Sequence, residues 1–163
     1  VIILAGNTRP LEDLIVEQTE YLLALDGMVS ADDQAQIAAV QDTAARIKTA
    51  QPTDPDPGPL FNAPLSYWLA LRAYDPVATA QQITPPMLIV QGERDYQVTM
   101  ADFQGWLDGL APRDDVTFIT YPGLNHLFIT GEGPATPAEY DMPGHISRIV
   151  ISDIVNWIKE QTP

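Results

Sequence analysis

The stretch Met87-Leu88-Ile89-Val90-Gln91-Gly92-Glu93-Arg94-Asp95-Tyr96-Gln97-Val98 decides how the chain is read. The continuous apolar run that opens it, Met87–Val90, reads as a strand buried on both faces, the pattern of a parallel sheet rather than of a half-solvated antiparallel one. The strand is assigned to Met87–Gln91. Gly92 turns the chain, and Asp95 falls just past the strand's carboxyl end, the edge at which open α/β sheets place ligands. Taken alone, Asp95 serves equally well to tie down the turn or to cap the helix that follows, because Asp is common in both places.

Two further apolar runs read as strands, Val1–Ala5 and Val116–Tyr121. Between the last two strands, Thr99-Met100-Ala101-Asp102 caps a helix that runs to about Leu110. Beyond them, Ile146, Val150, Ile151, Ile154, Val155 and Ile158 define an amphipathic C-terminal helix with a wide apolar face. Strands alternating with helices predict α/β architecture with a parallel sheet. The third strand runs into Tyr121-Pro122-Gly123-Leu124-Asn125-His126, so a second polar residue emerges from a strand-end loop at the same edge of the sheet. A lone His among apolar neighbours is often structural. Here, however, the loops of adjacent parallel strands emerge side by side, and an Asp–His pair would hold one imidazole nitrogen and leave the other facing a cleft. The rival histidine, His145, directly precedes the last helix, where a cap or packing role accounts for it.

The connection from Asn7 to Pro86 holds several helical pieces rather than one. Pro10 stands at a first helical position, and Leu11, Leu14, Ile15, Leu22 and Leu25 recur at helical spacing up to Gly27. Ser30-Ala31-Asp32-Asp33 resembles a capping box for a second helix, with Ile37, Val40, Ala44 and Ile47 on one face. Gln51–Asn62, with Pro52, Pro55, Pro57 and Pro59, reads as a stiff linker. Asn62 and Pro64 then open a third helix carrying Tyr67, Trp68 and Leu71. Residues 7–75 are therefore read as a helical insertion. Its stripes are explained by packing or, in the sharper reading, by a lid over an active site.

Composition narrows the chemistry. The chain has 163 residues, 8 basic against 22 acidic, and a net charge of −14. A field this negative repels phosphate backbones, so no nucleic-acid partner is expected. No apolar run approaches the roughly 20 residues that cross a bilayer. The absence of cysteine removes disulfides, thiolate metal sites and a Cys nucleophile, and it leaves the compartment, cytoplasmic or secreted, open. With only two histidines and no Gly-rich run before Lys48 or Lys159, neither a multi-His metal site nor a Walker loop is expected, and no cofactor. A nucleotide-binding domain is disfavoured because no Gly-x-Gly-x-x-Gly follows a strand. The chain begins with Val1, which is read as a start inside a longer polypeptide.

These residues resemble the C-terminal half of an α/β-hydrolase-fold enzyme, a family in which nucleophile, acid and histidine follow one another along the chain. Gly92–Asp95 is similar to the acid motif and Gly123-Leu124-Asn125-His126 to the histidine motif, while Val1-Ile2-Ile3-Leu4-Ala5-Gly6 resembles the strand before the lid. The likeness extends over nearly the whole chain and is closest to bacterial hydrolases of the dienelactone-hydrolase and acyl-peptidase-like branch. It implies a partial three-layer αβα hydrolase fold with a helical lid, and Asp95 and His126 as two members of a Ser-His-Asp triad. The substrate would be a small ester, thioester or amide, with Tyr96 and Trp68 as substrate-binding aromatics. One departure stands out: no Gly-x-Ser-x-Gly elbow occurs, and Ser30, Ser66, Ser147 and Ser152 are better explained as helix caps or helix-surface residues. The chain alone is thus expected to be inactive. Its first strand is expected to pair with an upstream segment or a second copy, since an open apolar edge invites aggregation. The alternative is a binding or assembly module that keeps the fold without the chemistry.

Overall fold

The computed structural model describes residues 1–55 and 57–161. Asp56, within the segment read as a stiff linker, lies outside them. In chain order the elements are β1 (Ile2–Leu4), α1 (Leu11–Leu23), α2 (Ala31–Thr49), α3 (Leu65–Arg72), α4 (Pro76–Gln81), β2 (Met87–Gly92), α5 (Met100–Leu110), β3 (Val116–Tyr121), a 3₁₀ turn at Pro137–Tyr140 and α6 (Arg148–Glu160). They divide into two units, Val1–Thr8 with Val77–Pro163, and Arg9–Pro76.

The first unit is a partial α/β fold. Its three strands lie in the order β1-β2-β3, both pairs parallel, with Ile3 opposite Ile89 and Ile89 opposite Phe118. Every residue of β2 is buried, as its unbroken apolar run predicts for the central strand. The strand's alternation sends Leu88 and Val90 to one face, where they meet Val150 and Trp157 of α6, and Met87 and Ile89 to the other, where they meet Phe103, Trp106 and Leu110 of α5. Two hydrogen bonds fasten the loop after β1 to α5: the Trp106 indole N–H donates to the Gly6 carbonyl at 2.7 Å and the Thr8 amide to Asp102 Oδ1 at 2.9 Å. The apolar face of α6 is wider than what is covered. Ile151, Val155 and Ile158, spaced at i, i+4 and i+7, remain 50, 42 and 46% exposed. Periodicity states which face is apolar, and coverage depends on neighbours the periodicity does not record.

The end of β3 is anchored by Tyr121, whose hydroxyl donates to Asp153 Oδ2 on α6 at 3.0 Å. Burial, with the Asp153 carboxylate beside it, pushes the Tyr121 phenol above its ordinary value. A phenol whose folded-state pKa is raised contributes stability that is complete below the unfolded value of about 10 and fades as the pH climbs past it. Tyr121→Phe is therefore expected to lessen the alkaline loss of stability, and denaturant midpoints measured on both sides of pH ~10 check this.

The second unit is helical. Ser30 caps α2 by the reciprocal bonds of a capping box, its hydroxyl accepting from the Asp33 amide while Asp33 accepts from the Ser30 amide. The first helix stops at Leu23, before the expected Gly27, because Ala24–Gly27 closes as a turn and Gly27 takes a left-handed φ of +84°. Ile47, Leu60, Leu65 and Trp68 form this unit's buried core. The segment before α3 is more than a spacer: Leu60 and Ala63 exchange both backbone hydrogen bonds at 2.9 Å, and Leu60 is buried. At the C-terminal end of α2, Arg72 donates to the carbonyls of Ile47 and Ala50, groups the helix itself leaves without partners.

Candidate active site

Gly92 and Tyr121 are paired in register at the carboxyl ends of β2 and β3, so the loops that follow start side by side. Backbone bonds then zip them together: the Glu93 amide donates to the Tyr121 carbonyl and the Arg94 amide to the Leu124 carbonyl, each at 3.0 Å. Gly92 is required by this contact. A Cβ there would stand 2.5 Å from the Leu124 carbonyl oxygen and 2.7 Å from that of Asn125, atoms of the main chain that have little room to yield.

Asp95 is buried, and all of its acceptor capacity is directed. Oδ1 accepts from the amides of Gln97 at 2.8 Å and Val98 at 3.0 Å, the local bonding by which Asp stabilises a turn. Oδ2 accepts from Gln91 Nε2 at 3.0 Å and meets His126 Nδ1 at 2.7 Å. A carboxylate that already receives three N–H groups takes a fourth donor, so Nδ1 carries the ring proton in this arrangement. Nε2 is then the ring's acceptor, and it has no hydrogen-bond partner among the described residues; the side chain is 28% exposed. Such a ring is placed to take a proton from a hydroxyl or a water brought within reach. Asp95 therefore ties the turn with one oxygen and meets the imidazole with the other.

Gln91 is wholly buried at the end of β2, where its amide also donates to the Val98 carbonyl at 2.8 Å. Asn125, equally buried, accepts with Oδ1 from the amides of Leu127 at 3.0 Å and Ile129 at 3.1 Å, and so fixes the backbone around His126. That backbone is strained: Phe128 has φ +56°, a left-handed conformation unfavourable for a residue with a Cβ. Its ring, buried edge-on against Tyr121, holds it there. On the outer side, Arg94 Nη2 pairs with Glu139 Oε1 at 2.5 Å, and Asn125 Nδ2 donates to Glu139 Oε2 at 2.8 Å. The hydrogen bond from Arg94, aided by that from Asn125 and opposed by partial burial, holds the Glu139 carboxyl below the usual carboxylate range. Burial raises the neighbouring Tyr140 phenol, with the Asp95 and Glu139 charges adding to the effect and its hydrogen bond from Gln97 opposing it.

The remaining residues singled out in the sequence lie as follows. Tyr96 is buried beside Asp95. Trp68 is buried in the helical unit, its indole N–H donating to the Leu60 carbonyl at 2.8 Å and its ring edge-on to Phe61 and Tyr67. His145 is exposed. None of the serines bonds His126; Ser30 and Ser147 stand at helix N-termini, while Ser66 and Ser152 lie within helices. Sequence reading passed over Gln91, Arg94, Asn125 and Glu139. Gln91, a polar residue ending a buried run, and Asn125, adjacent to the candidate histidine, carried a signal. Glu139 carried none. Among the described residues, no group of three or more His, Asp or Glu side chains could hold a metal ion, and no helix is long and apolar enough to cross a membrane.

Compared with known proteins, the chain is 36% identical over 158 residues, 97% of its length, to a protein named Esterase EstD from Thermotoga maritima. The chain spans only 36% of that relative's length. No family model and no solved structure matches it.

Proposed function

We propose that this chain supplies the acid and the histidine of a serine hydrolase acting on a small ester, thioester or amide, within an α/β-hydrolase fold of the dienelactone-hydrolase and acyl-peptidase-like kind. The observation that carries the reading is the 2.7 Å contact of Asp95 Oδ2 with His126 Nδ1 at the carboxyl edge of a parallel sheet, with Nε2 unengaged. The likeness to a protein named an esterase points the same way. His126 acts as general base toward a serine hydroxyl and then as general acid toward the leaving group, while Asp95 keeps the ring in the Nδ1–H tautomer and stabilises the imidazolium. The attacking serine belongs to a Gly-x-Ser-x-Gly elbow, which these 163 residues do not contain. In this reading the elbow precedes β1. The free edge of β1 and the exposed Ile151, Val155 and Ile158 strip are the surfaces that the upstream half covers. In this reading residues 7–75 form the lid, and Tyr96, next to Asp95, is the candidate for substrate contact, whereas Trp68 is taken up by the core of the helical unit.

The test uses p-nitrophenyl acetate. The 163-residue chain hydrolyses it at the buffer rate with no acylation burst. The polypeptide extended upstream through a Gly-x-Ser-x-Gly elbow hydrolyses it saturably, is labelled on that serine by a fluorophosphonate, and loses turnover with His126→Ala. An extended polypeptide without turnover, or one indifferent to His126→Ala, overturns the reading; the former would leave a binding module.

A further inference from the structure

Two residues matter here by position as much as by chemistry. Arg94 immediately precedes Asp95, and Asn125 immediately precedes His126. The side chains of both converge on one carboxylate from a third segment. Arg94 Nη2 reaches Glu139 Oε1 at 2.5 Å and its Nη1 reaches Oε2 at 3.4 Å, while Asn125 Nδ2 reaches Oε2 at 2.8 Å. The guanidinium is further fixed by the carbonyls of Gly133 at 2.8 Å and Glu132 at 3.2 Å. Its side chain is only 11% exposed and that of Glu139 only 17%, so solvent screens this pair less than a surface ion pair. Asn125 is fully buried and has no water to turn to if Glu139 is removed.

We propose that Glu139 is a positioning residue, a yoke that sets the spacing of the Asp95 and His126 loops by holding the residue before each of them. This rests on the hydrolase reading for its purpose but not for its geometry. Backbone bonds between the loops fix their roots. The yoke fixes their tips, where a displacement of about 1 Å costs a reaction on the order of 10²-fold. The charge on Glu139 matters as well as its shape, because it offsets the Arg94 guanidinium.

The experiment follows the His126 ring nitrogens by ¹⁵N NMR in the 163-residue chain at a pH above the imidazole range. His145, the other histidine, is exposed and provides an internal reference. The wild-type ring is expected in the Nδ1–H tautomer. Glu139→Ala shifts it toward the mixture of an unrestrained imidazole, and Glu139→Gln, which keeps an acceptor for Asn125 but no charge for Arg94, falls between. Glu132→Ala, in the same segment, leaves the ring unchanged. A merely structural role would lower the melting temperature without moving the tautomer in the folded protein. If Glu139→Ala does not fold, Arg94→Lys, which retains the charge and loses the fork, must move the tautomer in the same direction. A folded Glu139→Ala or Arg94→Lys chain with the wild-type tautomer overturns the proposal. In the extended polypeptide, Glu139→Ala lowers kcat about 10²-fold with KM little changed. A wild-type polypeptide without turnover refutes the hydrolase reading and leaves the yoke standing, whereas full turnover in Glu139→Ala refutes the yoke alone.

Discussion

Asp95→Asn is expected to lower ester hydrolysis by about 10⁴-fold in the polypeptide that carries the nucleophile, while the fold persists. The reason lies in donors and acceptors. An asparagine in this place keeps its carbonyl oxygen toward the amides of Gln97 and Val98, which both need an acceptor. Its NH₂ then faces His126 Nδ1 and Gln91 Nε2, where the carboxylate oxygen stood. Two donors cannot share a hydrogen bond, so His126 must present Nδ1 as acceptor and place its proton on Nε2. The nitrogen proposed as the base is thereby occupied. Gln91 loses one partner and retains the Val98 carbonyl, so the stability cost stays near the 1–3 kcal/mol of an unsatisfied buried group. Two measurements check this: kcat/KM for p-nitrophenyl acetate, and the His126 tautomer by ¹⁵N NMR, which should invert. An Asn variant with wild-type turnover would remove Asp95 from the mechanism altogether.

Gly92→Ala is expected to do comparable damage by a different route. The added methyl meets the carbonyls of Leu124 and Asn125, both main-chain groups. The clash is relieved only if the two loops part, and parting breaks the bond from the Arg94 amide to the Leu124 carbonyl. Overpacking of this kind costs roughly 1–3 kcal/mol. More telling than the stability is the place where the cost falls, because the same separation draws Asp95 from His126. Gly123→Ala is the matched control: it lies in the opposing loop, and a Cβ there meets nothing within 4 Å. Urea midpoints and the His126 spectrum of the two variants should diverge, with Gly123→Ala close to wild type. Equal midpoints would show that the loops can separate without loss.

Much of this arrangement was legible in the sequence because it is written in local pattern. An unbroken apolar run announces a central parallel strand, and a polar residue just after such a run announces the ligand-bearing edge. Asp95 and His126 could be paired before any coordinates because neighbouring parallel strands release their loops side by side. Glu139 could not. It reaches Arg94 across 45 positions and Asn125 across 14, from a short 3₁₀ turn with no periodicity of its own. Long-range contacts of irregular segments leave no imprint on their local sequence. The exposure of α6 was illegible for another reason: an apolar stripe shows that a surface favours burial and is silent on what buries it.

The two strands that release Asp95 and His126 are consecutive, and every hydrogen bond recorded for either side chain comes from residues 91–126. Among the described residues, the helices of residues 9–76, which lie between β1 and β2 in the chain, supply none of these bonds. Length and composition there can change without removing any of these bonds. The bonds that orient Asp95 and His126 toward each other are thus carried by one short continuous stretch of gene, with Glu139, the carboxylate that joins the two loops, only a little beyond it.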